Sequence, residues 1–85
     1  MLDPTRFQPV LAAILRERAY QENKWGTDGH TVGEWLLILE AELAEAKEGW
    51  VKGKGNADAL REILQVVAVG CACLEDHGVI ERKTA

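Results

Sequence analysis

Two glutamates that stand three residues apart in an apolar stretch are the clearest candidates for chemistry in this sequence. The stretch from Trp35 to Ala46 predicts one helix. Because successive residues of a helix turn by about 100°, Glu42 and Glu45 point the same way as the apolar stripe, which also contains Trp35, Ile38, Leu39 and Ala46. A carboxylate removed from water without a partner is costly or takes up a proton. The pair therefore requires a cation, either a Lys or Arg side chain or a metal ion.

A second polar pair, Glu62 and Gln65, has the same spacing in another apolar stretch. The connection between the two stretches is short, so their helices should be antiparallel neighbours whose polar pairs meet in the bundle interior. Three carboxylates and one amide oxygen suit a hard, oxygen-seeking cation such as Mg²⁺ or Mn²⁺. A di-iron site is not favoured, because it requires Glu-x-x-His pairs and neither histidine of the sequence follows a glutamate at that spacing.

Three helices are predicted to position these side chains, at about residues 4–23, 32–51 and 57–77, with a tail at 79–85. Their ends are predicted by helix-capping and helix-breaking residues: Asp3 before Pro4, a capping box of Thr31 and Glu34, a cap at Asn56, and a stop at Gly78. The turn formers from Gly26 to His30 predict a loop between the first two helices. No second domain is indicated, so residues 1–85 are expected to form one helical domain.

The third helix is apolar nearly all the way round, because Gln65 is its only large polar side chain between Ile63 and Leu74. A helix of this kind must be covered on several sides, which three short helices of one chain can hardly do. We therefore expect an all-α fold, a short bundle of three main helices that is completed by oligomerisation.

Composition limits the classes of protein to consider. The 85 residues carry a net charge of −4, which argues against a nucleic-acid-binding protein with a broad basic surface. Membrane insertion is not expected, since no apolar run has the length of a membrane span and no secretion signal is evident. Cys71 and Cys73 are two residues apart on a predicted helix and are expected to be packing residues. We expect a cytoplasmic protein.

The two motifs resemble the all-α nucleoside triphosphate pyrophosphohydrolases of the MazG-like group, in particular a small, partly phage-associated branch. The family's metal motif is Glu-x-x-Glu on one helix and Glu-x-x-Asp on the next, and these map onto Glu42 with Glu45 and onto Glu62 with Gln65. The preceding segment is also similar: Gln21, Lys24, Trp25, Gly26, His30, Glu34, Trp35 and Leu36. The resemblance covers about residues 21–78.

This resemblance implies hydrolysis of a nucleoside triphosphate between its α- and β-phosphates, which gives the monophosphate and pyrophosphate. It implies Mg²⁺, or Mn²⁺, held by Glu42, Glu45, Glu62 and Gln65, with the three glutamates as the catalytic residues. The substrate-binding candidates are Lys24 for a phosphate, Trp25 for base stacking and His30 to position either one. The implied partners are a nucleoside triphosphate and further copies of the chain, as a dimer or a dimer of dimers.

Two positions depart from the family pattern. Gln65 stands where catalytic members have aspartate, and a neutral amide oxygen holds Mg²⁺ less strongly than a carboxylate does. Ala41 occupies a position that is often a second, outer glutamate. A second class of function therefore stays open beside the enzyme: a catalytically weakened MazG-fold module that binds nucleotides or mediates oligomerisation.

Each candidate residue also has a purely structural interpretation. The pair Glu42 and Glu45 could be neutralised by a basic side chain of a neighbouring helix, and Glu62 by Arg61, Arg16 or Arg18. Gln65 could be a hydrogen-bonded interface residue. The remaining candidates have similar alternatives: Lys24 as a helix-ending charge, Trp25 as a surface aromatic, and His30 as a capping or loop residue.

Overall fold

The computed structural model describes residues 1–53 and 55–83, and these residues form three helices and no strand. Helix α1 spans Pro4–Trp25, α2 spans Val32–Val51 and α3 spans Gly55–His77. The prediction of an all-α chain with three main helices is confirmed for this part of the chain. Among these helices, none is both long enough and apolar enough to cross a membrane.

Helix α1 begins as predicted and ends two residues later than predicted. The Asp3 side chain accepts a hydrogen bond of 2.9 Å from the Thr5 backbone N–H, and Pro4 occupies the first turn. At the other end, Gly26 has a φ of 81° and its N–H donates to the Glu22 carbonyl oxygen at 2.8 Å. The helix continues until this first left-handed residue, which only glycine adopts readily. Trp25 therefore belongs to α1 and not to the loop.

Helix α2 begins at the predicted capping box. The Glu34 backbone N–H donates to the Thr31 hydroxyl oxygen at 3.1 Å, and the Thr31 backbone N–H donates to the Glu34 carboxylate at 2.8 Å. The hydrogen bond from the Thr31 backbone N–H to the charged carboxylate lowers the pKa of Glu34. The capping box thus satisfies two backbone N–H groups at the start of α2.

The start of α3 corrects one prediction. The helix begins at Gly55, so Asn56 lies inside the first turn and is not the N-cap. Gly55 has a φ of 81°, a conformation that glycine adopts readily, and the side-chain preference of Asn56 does not set the boundary. The other end is as predicted, because α3 stops at His77 and Gly78 has a φ of 92° with its N–H bonded to the Leu74 carbonyl oxygen.

In the described part of the chain, α1 and α2 both pack on α3 rather than on each other, and α2 packs the more extensively. The apolar core between them is small and consists of Ile14, Trp35, Ala46, Ala59, Ala68 and Val69. Many large apolar side chains stay exposed on all three helices, among them Trp50. The chain thus forms an open bundle in which α3 is the central element.

Candidate metal centre

Three predicted ligand residues come together where α2 and α3 pack. Glu42 and Glu45 lie one turn apart on α2, and Glu62 faces them from α3. One carboxylate oxygen from each of the three residues lies within 4.8 Å of the other two. Glu42 and Glu62 are half-buried and Glu45 is exposed. We call these three residues the glutamate cluster.

The glutamate cluster lacks internal compensation for its negative charge. The Oε2 atoms of Glu42 and Glu62 are buried and have no hydrogen-bond partner among the described residues. Burial raises the pKa of Glu42, and so do the nearby charges of Glu45, Glu62 and Glu17. Buried polar atoms in folded proteins nearly always have a partner. A proton or a cation is the simplest way to satisfy these oxygens.

The alternative prediction, in which basic side chains neutralise the three glutamates, is wrong for the described residues. None of their ion pairs involves Glu42, Glu45 or Glu62. Arg18, one of the proposed partners of Glu62, instead bonds Glu75 at 2.7 Å and Glu22 at 3.0 Å. Arg61, another, pairs with Asp58 one turn before it. Within residues 1–53 and 55–83, the negative charges of the cluster therefore have no protein cation to balance them.

The donor set fits a hard divalent cation. All three donors are carboxylate oxygens, which Mg²⁺, Mn²⁺ and Ca²⁺ prefer. Opposite ligands lie about 4.2 Å apart around Mg²⁺ and about 4.8 Å apart around Ca²⁺. The oxygens of the cluster lie within 4.8 Å of one another, which is close enough for the three residues to share one divalent cation. The geometry therefore fits a divalent cation without selecting a particular element.

Gln65, the fourth predicted ligand, lies one turn after Glu62 and lines a hollow with Glu45 and Glu62. Its backbone carbonyl oxygen accepts a hydrogen bond of 3.4 Å from the Gln21 side chain. Gln21 is the one buried polar residue of the described chain, and it also donates to Glu17 and accepts from Arg18. This contact joins α1 to α3 one turn away from the glutamate cluster.

The glutamate cluster stands between two hollows of different character. On one side lies a cleft of about 740 Å³ between α1, the loop at 26–31, α2 and α3, and Glu42 forms part of its wall. On the other side lies a smaller hollow of about 440 Å³, which Glu45 and Glu62 line together with Lys52 and Arg61. One carboxylate of the cluster thus borders the cleft, and the other two border the smaller hollow.

Two of the three predicted substrate-binding residues line the cleft, and the third does not. Trp25 and His30 line the cleft, and the His30 ring packs edge-on against the Trp35 ring at a centroid distance of 4.7 Å. Lys24 is not among the described residues that line it. The Lys24 amino group instead lies over the Trp25 and Tyr20 rings, 4.9 and 5.8 Å from their centroids.

Sequence reasoning missed the residues that hold the rim of the cleft. Asp76, near the end of α3, accepts hydrogen bonds of 3.0 Å from the His30 backbone N–H and from the Trp35 indole N–H. These hydrogen bonds lower the pKa of Asp76. Nε2 of His77 lies 2.6 Å from the His30 carbonyl oxygen, which places the ring proton on that nitrogen. Both polar groups of the His30 backbone are thus bound by consecutive residues of α3, an arrangement we call the α3 clamp.

Glycine is required beside the α3 clamp. A Cβ atom on Gly29 would lie 2.9 Å from both carboxylate oxygens of Asp76, closer than such atoms can pack. The two glycines of the loop, Gly26 and Gly29, were predicted only as turn formers. Gly29 has a more specific role: because it has no side chain, the loop backbone can approach the Asp76 carboxylate.

Comparison of the chain with protein-family models, with curated proteins and with solved structures finds no match.

Proposed function

We propose that the chain is a metal-dependent nucleoside triphosphate pyrophosphohydrolase that releases a nucleoside monophosphate and pyrophosphate. The observation that carries this proposal is the glutamate cluster, in which three carboxylates of two helices converge without a protein cation among the described residues. The resemblance of the two motifs to the MazG-like group supplies the reaction. We propose Mg²⁺ or Mn²⁺ as the cation.

Glu42, Glu45 and Glu62 would hold the cation. When bound, it supplies positive charge for the phosphate oxygens and makes water a better nucleophile at neutral pH. Water adds across the phosphoanhydride between the α- and β-phosphates, the bridging P–O bond breaks, and pyrophosphate leaves. A carboxylate of the cluster that faces solvent accepts the proton of the attacking water. The exposed position of Glu45 suits it to this role.

The cleft beside Glu42 supports binding of the nucleoside. Its volume of about 740 Å³ lies in the range of small-molecule sites, about 300–1,000 Å³. Trp25 offers an indole face that can stack on any base, and His30 lies at the rim, where α3 binds its backbone. Lys24 as a phosphate contact stays a prediction, since its amino group lies over two aromatic rings.

Release of pyrophosphate tests the proposal. The purified protein is incubated with a panel of ribonucleoside and deoxyribonucleoside triphosphates and with Mg²⁺ or Mn²⁺. We expect pyrophosphate with at least one of them, and at least a hundredfold slower release in Glu42→Gln, the order expected for loss of one electrostatic group in an active site.

Glu40→Gln is the matched control, because Glu40 lies on the same helix and is exposed outside the cluster. It should keep the wild-type rate, and both variants should keep the wild-type helical content by circular dichroism. If no nucleotide gives pyrophosphate with either metal, the proposed enzymatic activity is contradicted.

A second candidate is a catalytically weakened module that binds nucleotides or mediates oligomerisation. Two observations favour it: the neutral Gln65 beside Glu62, and a stripe of exposed apolar residues on α3, Leu60, Ile63, Val67 and Leu74. In this case the protein binds a nucleotide or a second copy without turnover. The same panel distinguishes the two candidates when nucleotide binding is measured beside pyrophosphate release.

A further inference from the structure

We propose that the two hollows divide the substrate at the bond to be broken, with the nucleoside in the cleft and the β- and γ-phosphates in the smaller hollow beside Lys52 and Arg61. This inference rests on the proposed function for the class of ligand. It assigns phosphate binding to two residues that no motif singled out, and it does so from the different linings of the hollows on either side of the glutamate cluster.

The cleft is poorly suited to a phosphate chain. Its lining carries five carboxylates, from Glu22, Asp28, Glu42, Glu75 and Asp76. Arg18 is the one guanidinium there among the described residues, and Glu75 and Glu22 already bond it. Phosphate oxygens would meet net negative charge, which repels them. The aromatic and aliphatic side chains of the cleft, including Trp25, Trp35, Ile38 and Val69, suit an uncharged ring system.

Among the described residues outside the glutamate cluster, the smaller hollow is lined by two cations and two carboxylates, whereas the cleft is lined by one guanidinium and four carboxylates. The two cations of the hollow are Lys52 and Arg61, and each pairs with a carboxylate on its own helix, Lys52 with Glu48 and Arg61 with Asp58. The side chains of both cations are largely exposed, so these pairs contribute little to stability. Both cations can turn toward a more highly charged phosphate, and Arg61 can bind one with two hydrogen bonds.

The glutamate cluster marks the border between the two environments. Glu42 lines the cleft, Glu45 and Glu62 line the smaller hollow, and their oxygens lie within 4.8 Å of one another. A triphosphate that crosses this border has its nucleoside on one side and its terminal phosphates on the other. The α–β bond then lies over the cluster, so hydrolysis leaves the monophosphate in the cleft and pyrophosphate in the hollow.

The nucleoside half of the proposal is tested with phosphate-free nucleosides and tryptophan fluorescence. We expect adenosine, cytidine, guanosine or thymidine to quench the emission without any metal. The quenching should be largely lost in Trp25→Phe and kept in Trp50→Phe, because Trp50 lies outside the cleft. Quenching that is kept in Trp25→Phe and lost in Trp50→Phe, or no binding of any of the four nucleosides, would overturn this half.

The phosphate half is tested by calorimetric titration with inorganic pyrophosphate in Mg²⁺. The double variant Lys52→Ala, Arg61→Ala should bind pyrophosphate roughly tenfold more weakly, the order expected for loss of two charge-assisted contacts at an exposed site. Lys24→Ala, which removes the alternative phosphate contact, should weaken binding less than the double variant does, and Lys47→Ala, which removes a charge from the outer face of α2, should bind like the wild type. An effect of Lys24→Ala that exceeds that of the double variant overturns the assignment, and so does an equal effect of Lys47→Ala.

These measurements separate the inference from the proposed function. Neither titration requires turnover, so a protein that hydrolyses no nucleotide can still bind its two probes in the two hollows. Conversely, if pyrophosphate is released in the enzymatic panel and the double variant binds pyrophosphate normally, the enzyme stands and the division of the substrate is wrong.

Discussion

Glu42 is the residue at which folding and binding oppose each other. Burial and three neighbouring carboxylates raise its pKa, so the folded chain takes up a proton there more readily than the unfolded chain does. Between the unfolded and the folded pKa, the folded state therefore binds more protons, and the free energy of unfolding falls as the pH rises through this interval. Above the folded pKa the full penalty remains, unless a cation balances it.

Replacement of this charge should stabilise the metal-free protein. In EDTA at pH 7 we expect Glu42→Gln to unfold at a temperature a few degrees higher than the wild type. The difference should shrink as the pH falls below the ordinary range of glutamate, where Glu42 is protonated in both states. Added Mg²⁺ or Mn²⁺ should raise the unfolding temperature of the wild type more than that of the variant.

Differential scanning calorimetry at several pH values measures this effect, and Glu40→Gln provides the comparison because it removes the same charge from an exposed position of α2. Two results together would contradict the prediction that the Glu42 charge destabilises the metal-free fold. The metal-free Glu42→Gln protein would be less stable than the wild type at pH 7, and metal would raise the unfolding temperatures of both proteins equally.

At the scale of elements, the last turn of α3 determines the shape of the loop that borders the cleft. The α3 clamp binds both backbone polar groups of His30, and Asp76 also bonds the Trp35 indole at the start of α2. One carboxylate thus connects the loop, α2 and α3. Its pKa is lowered, so its stabilising effect is present above the unfolded pKa and is lost as the pH falls through the folded pKa.

Asp76→Ala should lower the unfolding temperature by several degrees at pH 7, because the Trp35 indole and the His30 N–H lose their shared acceptor. Asp76→Asn should recover part of the loss, since both donors bond the same oxygen, Oδ2, and an amide oxygen can accept both. The indole N–H resonance of Trp35 should shift and exchange faster with solvent in Asp76→Ala.

Asp28→Ala is the control for this experiment, because it removes a carboxylate from the loop itself and leaves the α3 clamp intact. An unchanged Trp35 indole resonance in Asp76→Ala would show that the hydrogen bond to this residue does not exist in solution.

Features that depend on near neighbours in the chain could be predicted from the sequence. The capping box of Thr31 and Glu34, the stop at Gly78 and the spacing of Glu42 and Glu45 all involve residues within one helical turn. The α3 clamp could not be predicted, because it joins positions far apart in the chain whose approach depends on how α2 packs on α3. The pairing of Arg18 with Glu75 escaped prediction for the same reason, and Arg18 was instead one of the three predicted partners of Glu62.

At the scale of the molecule, the single chain is less compact than its length allows. Its radius of gyration is 14.3 Å, whereas a compact chain of 85 residues has about 12 Å. Leu60, Ile63, Val67 and Leu74 form the exposed stripe on α3, each between 42% and 62% exposed. Contiguous apolar surface of this kind usually marks a contact with another molecule. We expect a second copy to cover it.

Sedimentation equilibrium should therefore show a dimer or a dimer of dimers at micromolar concentration. Ile63→Glu should shift the distribution toward the monomer, because a carboxylate in an apolar contact has no partner. Ile80→Glu introduces the same change at a position that is 97% exposed and outside the stripe, and it should leave the distribution unchanged. A wild-type protein that is monomeric at every concentration would contradict the oligomer.

The α3 clamp also has a consequence for the order of events during protein synthesis. Its hydrogen bonds join residues 46 and 47 positions apart, and contacts of such separation form late because a long segment of chain must first be closed into a loop. On a ribosome, α1 and α2 emerge well before Asp76 and His77 do. The rim of the cleft consequently takes its shape only when the final helical turn has left the exit tunnel.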